Sequence, residues 1–173
     1  MKKLIVALVA IVMFSASALA QAGSEKYAIG ARIGDGWAGL GVEVSGMIGV
    51  GPNLNRLEID LGWNRYHYPV GAGYSDWGHF LYATCTYQWR WNIIKGLHWY
   101  VGPGVCVGTR IWHDAYNDAR IRFDMGIGGQ VGIEYDFDAP IQLTLDYRPM
   151  FNFFGHSGPT YFDCAAFGVR YRF

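Results

Sequence analysis

The 173-residue chain carries 14 basic and 14 acidic side chains, so it lacks the basic excess on which nucleic-acid binding draws. Charged residues are only 16% and aromatics 17% of the chain, against a charged share of about a quarter in ordinary soluble domains. Three widely spaced cysteines, Cys85, Cys106 and Cys164, make no disulfide framework and contain no CxxC metal spacing.

The chain opens with Lys2 and Lys3, the apolar run Leu4–Phe14, and the small residues of "SASALA". That layout is a secretory signal peptide, cleaved after Ala20; "AQA" ending at Ala22 also fits. The apolar run is about half of the ~20 residues that a membrane-spanning helix needs. The domain reading is therefore a cleaved segment 1–20 followed by one domain, 21–173. Without Lys2 and Lys3 the 14 basic residues fall to 12 against 14 acidic ones, a net charge near −2.

From there the chain alternates with period two, the signature of strands whose successive side chains point to opposite faces. Tyr27–Ile33 sets Tyr27, Ile29 and Ile33 against Gly30 and Arg32. Leu40–Met47 sets Leu40, Val42 and Val44 against Glu43 and Ser45. Arg56–Asn64 opposes Leu57, Ile59, Leu61 and Trp63 to Arg56, Glu58, Asp60 and Asn64. Phe80–Trp91 opposes Leu81, Ala83, Cys85, Tyr87, Trp89 and Trp91 to Thr84, Thr86, Gln88 and Arg90. A fifth strand begins at Leu97 and a sixth at Arg122; their polar faces hold His98, Tyr100, Arg110, Asp124, Gln130 and Glu134. Ile141–Arg148 is the seventh, and the eighth ends in "FGVRYRF".

Short links near 49–55, 92–96 and 136–140 alternate with longer, aromatic-rich ones near 65–78, 112–120 and 153–160. The longer ones carry Tyr66, Tyr68, Tyr74, Trp77, Trp112, Tyr116 and Phe154, which suit either surface contacts or anchoring at lipid headgroups. The fold expected is all-β: an eight-stranded antiparallel up-and-down transmembrane β-barrel.

Two barrels fit this pattern. A lipocalin-like soluble carrier would bury the apolar face, and a membrane barrel would bury the polar one. The polar face is rich in glycine, which suits a crowded interior. The apolar face carries large aromatics near strand ends, the girdle pattern of membrane barrels. The polar-face charges are eight arginines (Arg32, Arg56, Arg90, Arg110, Arg122, Arg148, Arg170 and Arg172) against six acids (Glu43, Glu58, Asp60, Asp124, Glu134 and Asp146). Arginine's planar fork pairs bidentately with carboxylates where water is scarce. The expectation is a lumen filled by an ion-pair network, too narrow to conduct.

The terminal "GVRYRF", with "WYVGPGV" and "PIQLTLDYRP", resembles the small eight-stranded outer-membrane barrels of Gram-negative bacteria, the OmpA-transmembrane-domain and OmpX-like group. The resemblance spans the whole of 21–173. It implies an outer-membrane location with both termini periplasmic, and contact with outer-membrane lipid and lipopolysaccharide. It also implies a last strand read by the barrel assembly machinery through Val169, Tyr171 and Phe173. The role expected is structural or surface-interaction, adhesion or ligand binding through the aromatic-rich loops of a monomer. No catalytic, cofactor or metal motif is visible. His156 and Ser157 in "GHSGP", with Asp163 nearby, leave a lipid A-modifying enzyme as the alternative, but neighbouring side chains in an extended loop point apart, unlike a nucleophile and its base.

Overall fold

The computed structural model describes residues 26–36, 39–50, 55–71, 74–113, 118–154, 160–161 and 164–173. The signal-peptide reading lies outside these residues, as do Tyr116, His156, Ser157 and Asp163. The elements are β1 (Tyr27–Gly36), β2 (Gly39–Gly49), β3 (Arg56–Gly71), β4 (Tyr74–Ile94), β5 (Leu97–His113), β6 (Ala119–Asp136), β7 (Ile141–Tyr147), β8 (Met150–Phe154), β9 (Thr160–Tyr161) and β10 (Ala165–Arg172).

β1 to β6 pair in sequence order, each antiparallel to the next. β6 then pairs with both β7 and β8 in one continuous register, from Val131↔Tyr147 to Gly128↔Met150. These two are a single barrel strand interrupted at Arg148 and Pro149. Pro149 has no amide hydrogen to give a ladder, and only its carbonyl is used, accepting from the Gly129 amide at 3.2 Å. β9 and β10 likewise form the eighth barrel strand. β10 pairs with β7 on one side and β1 on the other, so the sheet closes on itself with eight strands. At the seam the Tyr27 amide donates to the Phe173 carbonyl at 3.2 Å, and the Phe173 amide returns the bond at 2.9 Å.

The apolar face is outside. Leu61, Phe123 and Val105 are more than half exposed, whereas Glu58, Asp60, Asp124 and Gln88 are fully buried. A soluble carrier would invert this arrangement, because exposed Leu and Phe rows and buried unpaired acids are both unfavourable in water. Aromatic side chains mark the two ends of the apolar band. Trp91 stacks on Trp99 with ring centroids 4.5 Å apart, and Tyr135 meets Phe137 edge-on at 4.8 Å. Trp63 and Trp77 stand at the opposite end of the wall. The twelve steps from Trp77 to Trp89 cover about 40 Å at about 3.3 Å per residue. Tilted by about 45°, that is about 28 Å, the height of the apolar band of a membrane barrel.

Two expectations about element boundaries are corrected. Strands β3, β4 and β6 run past the stretches expected for them and past the ~9–11 residues of a bare tilted span: they have 16, 21 and 18 residues. The segment 65–78, expected as a long loop, is mostly a continuation of the β3–β4 hairpin, with Arg65 paired to His79 and His67 to Trp77. Tyr66 is consequently not a loop residue. It is half-buried, packs against a small apolar cluster of Phe80, Tyr82, Cys106 and Met150, and lies across Gly78 where a Cβ would collide with its ring. The short links near 92–96 and 136–140 behave as expected, and 51–54 of the first lie outside the described residues. In the tight turn between β4 and β5, Gly96 takes φ 82°, a backbone conformation open mainly to glycine.

Glycine on the inner face makes room for large neighbours. The Tyr82 ring lies over Gly62 and the Tyr100 ring over Gly132, each where a Cβ would otherwise stand. The three cysteines are unbridged; Cys106 and Cys164 are buried, and Cys85 is half-buried in the wall.

Candidate functional site

The inner face of the barrel holds the chemistry, and it is layered. Midway along the lumen, Arg32 projects from β1 and pairs with Glu43 of β2 and Asp146 of β7. It also stands 3.4 Å from Asp60 and 3.9 Å from Glu58, both on β3. Arg148 follows β7, two strands from β1 and across the lumen from β3. Its guanidinium pairs with Asp60 at 2.5 Å, donates to the Thr84 hydroxyl at 2.7 Å, and lies 3.7 Å from Glu43. Tyrosine hydroxyls cap two of the carboxylates: Tyr82 donates to Glu43 at 2.9 Å and Tyr100 to Asp146 at 3.1 Å.

A second layer centres on Glu58. Arg170 of β10 pairs with it directly and bonds Ser45 at 3.0 Å; the Ser45 hydroxyl in turn donates to Glu58 at 3.1 Å. Gln88 and Gln130 both donate to the other Glu58 oxygen. Arg56 grips Glu134 with both terminal nitrogens, bonds Gln88 at 2.6 Å, and lies over the Tyr100 ring at 4.8 Å. Such bidentate, charge-assisted bonds are the strong class in dry surroundings.

Towards the end where Tyr27 meets Phe173, Arg90 pairs with Glu134 and Asp136. Gln142 donates to Asp136 at 2.8 Å, and Arg172 lies 3.6 Å from it while donating to the Phe137 carbonyl at 2.8 Å. At the far end Arg110 pairs with Asp124 at 2.5 Å and rests on the Phe80 ring at 4.5 Å. His98, Glu134 and Asp136 bring ligand-type atoms within 4.8 Å of one another. The Arg90 guanidinium already bonds both acids and approaches His98 Nδ1 at 2.9 Å, so a metal ion would have to displace a fixed positive charge.

Two adjustments to the expected network follow. Arg122 shares the inner face of β6 with Asp124 but is exposed and joins none of these ion pairs. It lies one pleat beyond the buried layers. Asp136, read from sequence as part of a turn, is the last inward residue of β6 and belongs to the network. Its even-numbered parity with Asp124 and Glu134 is the signal that could have found it. Among the described residues, seven arginines (Arg32, Arg56, Arg90, Arg110, Arg148, Arg170 and Arg172) therefore meet seven acids (Glu43, Glu58, Asp60, Asp124, Glu134, Asp136 and Asp146). The lumen charge balances.

The depth of each arginine sets its expected cost of removal. Arg170→Ala leaves buried Glu58 short of its closest cation, a loss of about 3–5 kcal/mol. Arg172→Ala removes a longer contact at the rim, worth about 1 kcal/mol or less. Thermal midpoints of the folded barrel in detergent read the difference, and a larger drop for Arg172→Ala would contradict this layering.

Among solved structures the barrel is similar to Neisserial surface protein A, NspA (TM-score 0.58, 15% identity, 87% of this chain and 98% of that one). The fold is that of the small eight-stranded outer-membrane barrels. The N-terminal β-barrel domain of Pseudomonas aeruginosa OprF is similar as well (TM-score 0.53, 18% identity, 85% and 96% covered). So is Ail, the attachment invasion locus protein of Yersinia pestis, in a complex with the heparin analogue sucrose octasulfate (TM-score 0.50, 15% identity, 85% and 94% covered). No protein-family model matches the sequence, and no curated protein does.

Proposed function

We propose that this chain is an integral outer-membrane barrel with a structural or surface-interaction role. It is not an enzyme, and its lumen is closed by the ion-pair network. The observation that carries the reading is the inversion of the barrel: apolar rows outside, seven arginines matched to seven acids inside. Only a hydrocarbon surround makes that exterior favourable, and only a closed sheet satisfies its backbone there. An eight-stranded interior is just wide enough for side chains, and here those side chains are cross-bonded from opposite walls.

In this reading the short turns and both termini face the periplasm, and the four opposite connections face the exterior. Val169, Tyr171 and Phe173, on the outward face of the closing strand, are what the barrel assembly machinery reads. The protein acts as a monomer among outer-membrane lipid and lipopolysaccharide. An adhesive or ligand-capturing role is supported by the fold shared with Ail, whose name and bound heparin analogue speak of attachment.

The test has two parts. The purified protein should migrate differently on a gel before and after boiling, with strand-dominated circular dichroism in detergent. In planar bilayers it should show no steady unitary conductance. A detergent-free soluble monomer would refute the membrane reading, and large steady conductance would refute the closed lumen.

A further inference from the structure

By strand parity, the guanidinium and imidazole groups that the described strands turn outward, away from the lumen, are four: Arg65, His67, His79 and His113. All four fall on one patch. Arg65 is paired with His79 across β3 and β4; His67 lies one pleat further out, opposite Trp77; His113 ends β5 beside them. A random scatter of basic residues over eight strands would not gather them on three adjacent ones.

The patch is organised. Trp63 Nε1 donates to His79 Nδ1 at 3.3 Å, and the two rings stack at 5.9 Å. With Nδ1 accepting, the neutral ring carries its proton on Nε2, which is then a donor directed away from Trp63. The Arg65 guanidinium lies over the Trp77 ring at 4.6 Å, and His67 packs on the same ring at 3.5 Å. Stacking holds the guanidinium against the ring and uses none of its N–H donors. No carboxylate among the described residues pairs with Arg65.

Immediately below, towards the middle of the wall, lies an apolar groove of about 580 Å³. Ala83, Val107 and Thr109 form its low floor between Leu61 and Leu81 on one side and Phe123 and Met125 on the other. Leu81 is the cross-strand partner of Trp63, two residues along β4 from His79. A cationic, donor-rich patch at the end of the apolar band thus sits directly over an apolar channel. The band's aromatic boundary at Trp63 and Trp77 puts the patch at headgroup height.

We infer that this face of β3–β6 is a seat for a phosphorylated membrane lipid of the outer leaflet. One acyl chain lies in the groove, and a phosphate is held by Arg65 and His79 with His67 and His113 at its margin. An arginine fork and a neutral imidazole N–H are the donor set a phosphate oxygen accepts from. The inference rests on the outer-membrane reading but does not follow from it, since most of the lipid-facing wall carries no such donors.

The experiment uses the folded, detergent-purified protein with diphosphoryl lipid A as probe, bound lipid being counted by native mass spectrometry. The wild type is expected to retain one lipid A. Arg65→Gln/His79→Gln should lower affinity by about tenfold or more, the scale of losing one charge-assisted hydrogen bond. Ala83→Phe, which fills the groove floor, should lower it comparably with the patch intact. Inorganic pyrophosphate alone should compete only weakly, and raised salt should weaken retention. Unchanged retention by Arg65→Gln/His79→Gln overturns the inference, as does pyrophosphate competing as strongly as the lipid or a neutral diacylglycerol binding as tightly. Gel mobility before and after boiling is read on the same samples: variants that keep the wild-type shift while binding lipid A normally sink this site alone, whereas a wild type without any shift sinks the membrane reading itself.

Discussion

Arg32→Met is expected to destabilise the barrel by about 3–5 kcal/mol, the cost of leaving buried acids without their cation. Arg32 is only 2% exposed, and four acids lie around it. After the change Arg148 still reaches Asp60 at 2.5 Å and Glu43 at 3.7 Å. Asp146 fares worse, because among the described contacts it keeps only the Tyr100 hydroxyl at 3.1 Å. Methionine fills comparable volume, so lost packing is a minor part of the effect. The control is Arg122→Met, which removes the same charge from an exposed position and should stay within about 0.5 kcal/mol of the parent. A third variant checks the cause. Adding Asp146→Asn to Arg32→Met should recover part of the loss, because it removes the stranded charge rather than restoring a contact. Urea midpoints in detergent measure all three, and an Arg32→Met midpoint equal to that of Arg122→Met would show that the central cluster contributes nothing.

The second large effect concerns closure. Gly30→Val is expected to abolish the folded form. Gly30 lies in β1 between Arg170 of β10 and Ser45 of β2. A Cβ there would run into the Val169 carbonyl and stand 2.6 Å from the Arg170 Cα. Those are backbone atoms of the closing strand, so no rotamer change relieves the clash, and β1 and β10 would have to separate. An unclosed edge in hydrocarbon leaves a row of unpaired amides and carbonyls, each costing several kcal/mol. Gly46→Val in β2 is the matched control: a Cβ there meets only the Ile59 carbonyl at 3.8 Å, on the lipid-facing side. The boiled-versus-unboiled gel shift should vanish for Gly30→Val and persist for Gly46→Val. A normal shift in both would mean that the β1–β10 register is not the one described.

Sequence by itself pointed, through the glycine-rich polar face and the aromatic strand ends, to the inversion that separates this barrel from a soluble carrier; it determined the eight strands and the side of each strand that carries charge. These follow from period-two alternation, a local property: once Arg56, Glu58 and Asp60 alternate with Leu57, Ile59 and Leu61, their faces are assigned without knowing any partner strand. What lies across the lumen is not local. Arg32 meets Asp146 from 114 positions away, and that pairing exists only because β10 closes on β1 and sets the stagger of the opposite walls. The tertiary structure also decided that Arg122 falls just beyond the buried network, whereas the place of Asp136 in it was legible from its parity with Asp124 and Glu134. The 65–78 segment was illegible for another reason. Aromatic or polar residues occupy both faces there, Tyr66 inward and Arg65 and His67 outward, so no apolar stripe betrays a strand. Its extended form comes from the backbone ladder with β4 and from the Tyr66 ring over Gly78. The same ladder brings Arg65 beside His79 above the groove, an arrangement that depends on cross-strand register and that no single strand contains.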